Sequence, residues 1–210
     1  IRQIFMLARR QEWQAAKATG LATVKPVMRA FIAALPFVLT EAQNRSLKEV
    51  LADLTSEIPA RRLLEGEVGS GKTVIALAAM LNAVAHGHQA AMMAPTEILA
   101  QQHFETISRL LEGVNHQTNE SHTLVVELSS LKKPISVGLI LGSHTKRQKE
   151  RMRQNLEEHN VDILVGTHAL IQNDVNIPNL ALAVVDEEHR FGVTQRGALG
   201  QKGKRPHLIS

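Results

Sequence analysis

The stretch LEGEVGSGKTV, residues 64–74, constrains the fold of this chain more than any other feature. It matches the pattern G-x-x-x-x-G-K-[ST], in which a strand turns sharply into a helix around a chain of phosphates. The glycines leave backbone N–H groups open to an anion, and the positive end of the following helix faces the same anion. Lys72 then bridges the β- and γ-phosphates of a nucleotide, and the Thr73 hydroxyl is a ligand for Mg²⁺. The expected nucleotide-binding residues are Gly66, Gly69, Ser70, Gly71, Lys72 and Thr73.

The sequence around this loop predicts an α/β fold. Apolar runs such as PISVGLILG and VDILVGT alternate with helical patterns such as GKTVIALAAMLNAVAHG. Short, continuously apolar strands between helices are typical of a mainly parallel sheet with helices on both faces. Thr40 and Thr96 stand where helix N-caps are expected, before helices that run toward Leu54 and Gly113.

Two regions differ from this alternation. Residues 1–35 have helical spacing and no phosphate-binding signal, so we interpret them as a helical connector from a preceding domain. The nucleotide-binding domain is then expected at 36–210, truncated at its C-terminal end, and the Ile at position 1 indicates a fragment of a longer protein. Residues 115–134 have weak periodicity and are interpreted as a surface insertion or mobile loop.

Composition excludes some classes of protein. The 210 residues are 44% hydrophobic and 21% charged, which is typical of a soluble globular protein. No apolar run approaches the roughly 20 residues that cross a bilayer, so no membrane partner is expected. Cysteine is absent, which excludes a disulfide framework and fits a cytoplasmic location. The net charge of +4 permits a polyanionic partner without requiring one.

A second chemical motif lies at LALAVVDEEH, residues 180–189. An apolar strand delivers carboxylates to its C-terminal end, the edge at which open α/β sheets place their ligands. Asp186 is expected to hold Mg²⁺, partly through water, and Glu187 to orient and deprotonate the attacking water. His189 is expected to couple hydrolysis to movement, so the expected catalytic set is Lys72, Asp186, Glu187 and His189.

Together, GSGKT and the Asp-Glu-Glu-His box resemble the DExH-type superfamily 2 helicases, which have a RecA-like P-loop NTPase fold and use ATP with Mg²⁺. Four further stretches are similar to the RecG family of bacterial helicases, which act on stalled replication forks and other branched DNA in repair and recombination. They are LPFVLTEAQ, APTEILAQQH, ILVGTHAL and DEEHRFGVTQR. The resemblance implies that Gln43 reads the base of the nucleotide. Glu188 is more typical of the Mfd family of transcription–repair coupling translocases, whereas Glu97 and the stretch LPFVLTEAQ favour RecG. RecG is therefore the leading interpretation, and Mfd is the alternative.

The resemblance also implies contacts to DNA phosphates, which carry no sequence information. The implied residues follow three predicted strands, and they are Pro95, Thr96, Gly142, Ser143, Thr167 and His168. Ordinary helix capping by the three hydroxyl residues is the alternative explanation. The basic run HTKRQKERMRQ is interpreted as a solvated helix face rather than as a DNA-binding patch.

The family resemblance further implies partners that lie elsewhere in a full-length protein. These are a second RecA-like lobe, which provides an arginine finger, and an N-terminal wedge domain that grips DNA. Without the second lobe, hydrolysis by this lobe alone is expected to be very slow. A kinase or a GTPase-like switch is the alternative of a different class, but no Asn-Lys-x-Asp guanine reader is present.

Overall fold

The computed structural model describes residues 17–67, 69–111, 116–119, 123–128, 130–131, 133–171, 175–187 and 205–210. The helices are α1 (Lys25–Ala34), α2 (Glu41–Asp53), α3 (Lys72–Ala85), α4 (Glu97–Leu111) and α5 (Lys146–Glu157). The strands are β1 (Arg61–Arg62), β2 (Gln89–Met93), β3 (His116–Asn119), β4 (Thr123–Val126), β5 (Ile135–Ile140), β6 (Ile163–Gly166), β7 (Leu180–Val185) and β8 (His207–Ile209). A 3₁₀ turn follows β6 at His168–Ile171. No helix in these described ranges is long and apolar enough to cross a membrane.

The strands form one sheet in the order β1-β8-β7-β2-β6-β5-β4-β3. The pairs from β1 to β5 along this order are all parallel, and the last two pairs, β5 with β4 and β4 with β3, are antiparallel. Parallel strands bring their carboxyl ends to one edge, so the segments that follow β2, β5, β6 and β7 lie along the same edge. The prediction of a mainly parallel α/β sheet is confirmed.

Both faces of the sheet are covered. In β2, Ala90 and Met92 pack into the core formed with α1 to α4, whereas Ala91 and Met93 pack into the core that includes Met152 of α5. Side chains alternate across a strand, so a strand that is apolar at every position must be buried on both sides. The helices predicted on both faces are therefore present.

The described part of the predicted connector packs onto the rest of the fold. Leu21 and Phe31 are almost completely buried and belong to the same core as α3. Pro26 stands in the first turn of α1, where a missing backbone N–H costs nothing. The helix predicted nearer the N-terminus lies mostly in residues 1–16, outside the described residues, and the domain boundary at residue 35 stays a prediction.

The interpretation of residues 115–134 as a loop is wrong. Strands β3 and β4 form an antiparallel pair, and β4 pairs with β5, so this stretch extends the sheet at its edge. Leu124 and Val126 are buried, while Val125 between them is less so. This strand alternation covers only four residues, too few to be distinguished from chance in a polar context.

Candidate nucleotide and DNA site

The phosphate loop lies between β1 and α3 and depends on its glycines. Gly69 and Gly71 have φ of 82° and 85°, in the left-handed region that side chains disfavour. A Cβ at Gly66 would come within 2.6 Å of the Ser70 Oγ, so a side chain there would push the loop open. The loop therefore adopts a shape that leaves its backbone accessible, as the motif requires.

Lys72 is the first residue of α3 and turns back toward this loop. Its Nζ donates hydrogen bonds to the carbonyls of Gly66 at 2.6 Å and Glu67 at 2.9 Å. Thr73 follows in the first turn of the helix, where free N–H groups and the helix dipole favour an anion. A cation, a hydroxyl and a helix N-terminus thus meet at one place.

Gln43 connects α2 to the phosphate loop. Its Nε2 donates to the Ser70 carbonyl at 2.9 Å, and its Oε1 accepts from the Thr40 N–H at 2.9 Å. The Gln43 N–H donates to the Thr40 hydroxyl oxygen at 3.2 Å, so the two residues form a capping box. A Cβ at Gly71 would collide with the Gln43 amide. Gln43 therefore lies against the loop, and its contact with a base stays a prediction.

Asp186 follows β7 and faces the phosphate loop. The pKa of its carboxyl is lowered, mainly by a hydrogen bond from His103, with smaller contributions from the backbone N–H of Glu187 and from the charge of Lys72. Burial acts in the opposite direction and is outweighed. The two predicted motifs are more than a hundred residues apart in sequence, yet they lie near enough for the charge of Lys72 to act on the Asp186 carboxyl.

Glu187 occupies an unusual backbone conformation. Its φ is 48°, in the left-handed region that non-glycine residues seldom adopt. Strain of this kind persists only where the surroundings enforce it, and it is concentrated at functional sites. The prediction for His189 falls outside the described residues, as does the Glu188 that was used to compare families.

The three predicted DNA-contacting segments lie side by side. They follow β2, β6 and β5, which are neighbours in the sheet. Thr96, Ser143 and His168 are exposed, whereas Pro95 is partly buried. Thr167 is only 1% exposed, and its hydroxyl lacks a hydrogen-bond partner among the described residues, so the residue is not presented at the surface. The structure thus brings the segments together, but it does not present every side chain that was predicted.

Capping explains part of this set. The Thr96 hydroxyl accepts from the Leu99 N–H at 3.3 Å. Helix α5 is capped by Thr145 and not by Ser143, because Thr145 forms a capping box with Gln148. The capping alternative is therefore confirmed for Thr96 and wrong for Ser143.

Ser143 is instead held by Glu97. The Glu97 carboxylate accepts from the Ser143 N–H at 2.8 Å and from its hydroxyl at 2.6 Å, and the hydroxyl bond is the main reason that the pKa of Glu97 is lowered. In the basic run, Lys149 donates to the Gly142 carbonyl at 2.5 Å and Arg153 pairs with Glu150 at 3.3 Å. These local bonds support a structural role for part of this run.

The sequence did not predict two contacts of the site: the bond of His103 to Asp186 and the bond of Glu97 to Ser143. The inward face of α4 carries Ala100, Ile107 and Leu111, all buried, and His103 stands at the same spacing. A polar side chain in an apolar stripe at intervals of three and four residues was the available signal. The partners of both residues are remote in sequence, and the sequence contains no signal for them.

The residues present suit a nucleotide with a divalent cation. Mg²⁺ takes oxygen ligands, needs few of them from protein and keeps several waters. The Thr73 hydroxyl and the Asp186 carboxylate would supply such oxygens, and the Lys72 Nζ lies at the loop carbonyls where phosphates are expected. No cluster of three or more His, Asp or Glu side chains that could hold a metal occurs among the described residues.

The parallel sheet, the phosphate loop and the carboxylate strand together define a P-loop NTPase motor of the RecA-like class. The model of the DEAD/DEAH box helicase family matches residues 40–203, and the chain belongs to this family. The predicted RecA-like P-loop fold and membership of the DExH-type helicases are thereby confirmed.

Within this family the chain is similar to RecG-type enzymes. It is 41% identical over 209 residues to the ATP-dependent DNA helicase RecG of Aquifex aeolicus, covering 99% of this chain and 24% of that protein. It is 45% identical over 174 residues to RecG of Thermotoga maritima, covering 83% of this chain and 20% of that protein. A solved structure of RecG bound to a three-way DNA junction matches with a TM-score of 0.75 at 35% identity, over 96% of this chain and 25% of that one. The predicted RecG resemblance is confirmed, and the chain spans about a quarter of the length of these relatives.

Proposed function

We propose that this chain is the ATP-binding first motor lobe of a DNA helicase that remodels branched DNA. The observation that carries the proposal is the position of Asp186 at the end of β7, where its N–H donates to the Met93 carbonyl at the end of β2, on the sheet edge that also holds the three predicted DNA-contacting segments. Lys72 lies near enough for its charge to lower the pKa of the Asp186 carboxyl. Nucleotide hydrolysis and a nucleic-acid track on one edge are the requirements of a translocating motor.

The chemistry follows from the placement of the side chains. The loop N–H groups and Lys72 would bind the phosphates, Thr73 and Asp186 would hold Mg²⁺, and Glu187 would orient and activate water. Bound Mg·ATP supplies the free energy of hydrolysis. Lys72 exchanges its carbonyl partners in the loop for phosphate oxygens, which are stronger acceptors because they are charged.

DNA binding rests on the segments after β2, β5 and β6. Thr96 and Gly142–Ser143 are exposed. The Ser143 N–H and hydroxyl, which here donate to Glu97, would exchange that carboxylate for a phosphate oxygen in a contact that ignores sequence. Thr167 is buried and contributes no contact in this conformation, whereas His168 is exposed. The branched character of the substrate is supported by the relative that was solved on a three-way junction.

The remaining partners belong to the full-length protein. The chain covers 24% of the Aquifex aeolicus relative, which leaves room for a second RecA-like lobe and an N-terminal wedge domain. We place the full-length protein in the cytoplasm, where its DNA lies. An arginine finger from the second lobe contributes roughly 10³- to 10⁵-fold in related phosphoryl-transfer enzymes. The isolated lobe should therefore bind Mg·ATP weakly and turn it over very slowly.

The test compares the ATPase rate of the full-length protein with a forked DNA and with a linear duplex of equal length. Strong stimulation by the fork alone supports the proposal, and Lys72→Ala should abolish the rate under both conditions. Equal stimulation by the two DNAs, or none until RNA polymerase is added, favours a coupling translocase of the Mfd type. No stimulation by any DNA would overturn the proposal.

A further inference from the structure

One polar side chain lies where the α4 helix meets the nucleotide site. The Nε2 of His103 is 2.7 Å from the Oδ2 of Asp186, and the two side chains are only 15% and 26% exposed. The neighbouring inward positions of the helix, Ala100 and Ile107, are fully buried and apolar. His103 is thus the point at which this face of α4 reaches the carboxylate strand.

The bond fixes the direction of the Asp186 carboxylate. An ionised carboxylate only accepts hydrogen bonds, so the Nε2 of His103 must carry the proton. The backbone N–H of Glu187 donates to the same carboxylate. Two donors from different elements leave the group little freedom to rotate, which is the usual arrangement around a side chain that binds a metal ion.

The same helix begins at the predicted DNA track. Helix α4 starts at Glu97, directly after Thr96, and the Glu97 carboxylate binds the N–H and hydroxyl of Ser143. His103 lies six residues further along the helix, a rise of about 9 Å. No loop intervenes between the two contacts, so a shift of the first turn of α4 is transmitted directly to His103.

We propose that His103 is a positioning residue that holds Asp186 for magnesium binding and makes ATP hydrolysis respond to DNA bound at the start of α4. The inference rests on the proposed function, because it assumes that Asp186 serves Mg·ATP and that the start of α4 touches DNA. It assigns His103 no contact with the nucleotide. Its effect is exerted through the orientation of one carboxylate.

The test uses two substitutions in the full-length protein. His103→Leu substitutes an apolar side chain of similar size and so removes the hydrogen-bond donor. His103→Gln places an amide N–H near the position of Nε2. His88→Ala is the matched control, because His88 also binds a side-chain oxygen, that of Asn179 at 2.8 Å, but precedes β2 and so lies away from the carboxyl edge of the sheet.

Two readouts are needed. The first is kcat for ATP hydrolysis with and without forked DNA. The second is the affinity for a fluorescent ATP analogue in Mg²⁺ and in EDTA, which requires no turnover. Loss of an outer partner of a metal site typically costs about 10- to 100-fold in metal affinity or activity. We therefore expect His103→Leu to lose DNA-stimulated kcat and the Mg²⁺-dependent gain in nucleotide affinity by about that factor, with affinity in EDTA unchanged.

The variants distinguish positioning from general damage. Substantial recovery in His103→Gln, together with parental behaviour of His88→Ala, supports the inference. Parental Mg²⁺ dependence in His103→Leu would overturn the positioning role, and loss of the DNA-free and DNA-stimulated rates by the same factor would overturn the coupling to DNA. A parent protein that no DNA stimulates refutes the proposed function instead, and the comparison in Mg²⁺ and EDTA still tests the role of His103 at the metal site.

Discussion

Asn82 is the residue at which the phosphate-loop helix holds the segment before α1, and its removal should destabilise the whole lobe. The side chain is fully buried. Its Oδ1 accepts from the Val24 N–H at 2.9 Å, and its Nδ2 donates to the Leu21 carbonyl at 3.1 Å. Asn82→Ala removes both bonds and leaves both backbone partners without a replacement in a region that water reaches poorly.

The size of the effect follows from these two groups. A buried backbone group that loses its partner costs about 1–3 kcal/mol, and Val24 belongs at the low end because it is only partly buried. The higher helix propensity of alanine offsets up to roughly 0.7 kcal/mol. We expect a net loss of roughly 1.3–3.3 kcal/mol in the free energy of unfolding, or about 3–13 °C in Tm for a lobe of this size.

Thermal and urea unfolding of the chain, followed by far-UV circular dichroism, measures this loss. Gln154→Ala is the matched control, since Gln154 is exposed on α5 and loses an amide in the same helical setting. If Asn82→Ala unfolds within 0.5 kcal/mol of the control, roughly the scatter of surface substitutions, then residues 17–24 are a separate tether. The reasoning from buried hydrogen bonds would then be wrong.

Three further results are expected. Gly71→Ala should weaken ATP binding, because a side chain at φ 85° costs about 1–3 kcal/mol and meets Gln43. Gly87→Ala is the control: its φ is 77° and its Cβ would meet open space, so the dissociation constant for ATP should be unchanged. Glu97→Gln should tighten forked-DNA binding several-fold in fluorescence anisotropy at low salt, since it removes a negative charge from the predicted phosphate track; weaker binding would contradict this. Burial lowers the pKa of His207, so the unfolded state takes up a proton near pH 6.5 and the folded state only at lower pH. Stability should fall as pH drops below about 6.5, by up to about 1.4 kcal/mol per pH unit, and His207→Gln should flatten that slope in urea titrations between pH 5 and 7.

The fold and the nucleotide site could be predicted because their signals are local in sequence. Gly66, Gly71, Lys72 and Thr73 specify one strand–loop–helix unit, and each fully apolar run specifies one buried strand. The carboxyl edge of a parallel sheet then brings Asp186 to the loop without any knowledge of strand order. The fold class alone therefore predicted that these two motifs share one edge of the sheet, although nothing in the sequence pairs them.

The contacts that bridge helices and loops could not be predicted in this way. Glu97 binds Ser143, 46 residues away, and His103 binds Asp186, 83 residues away. A Glu or a His on an amphipathic helix is ordinarily interpreted as a surface residue. Nothing in the neighbouring sequence indicates which distant residue it binds. The buried state of Thr167 was missed for a related reason, since position after a strand predicts the edge of a sheet but not the direction of a side chain.

The end of β2 explains why coupling between the two sites should pass through α4. The Met93 carbonyl accepts from the Asp186 N–H at 2.9 Å, and the next residue, Ala94, donates to the Gly166 carbonyl at 2.8 Å. The consecutive residues Met93 and Ala94 thus bind β7, which leads to Asp186, on one side and β6, which leads to Thr167, on the other. Because these bonds hold the strand ends in fixed register, a sliding movement between strands would have to break them. Rotation or translation of the helix that starts three residues after Ala94 remains available, and His103 is the described residue through which it would reach Asp186.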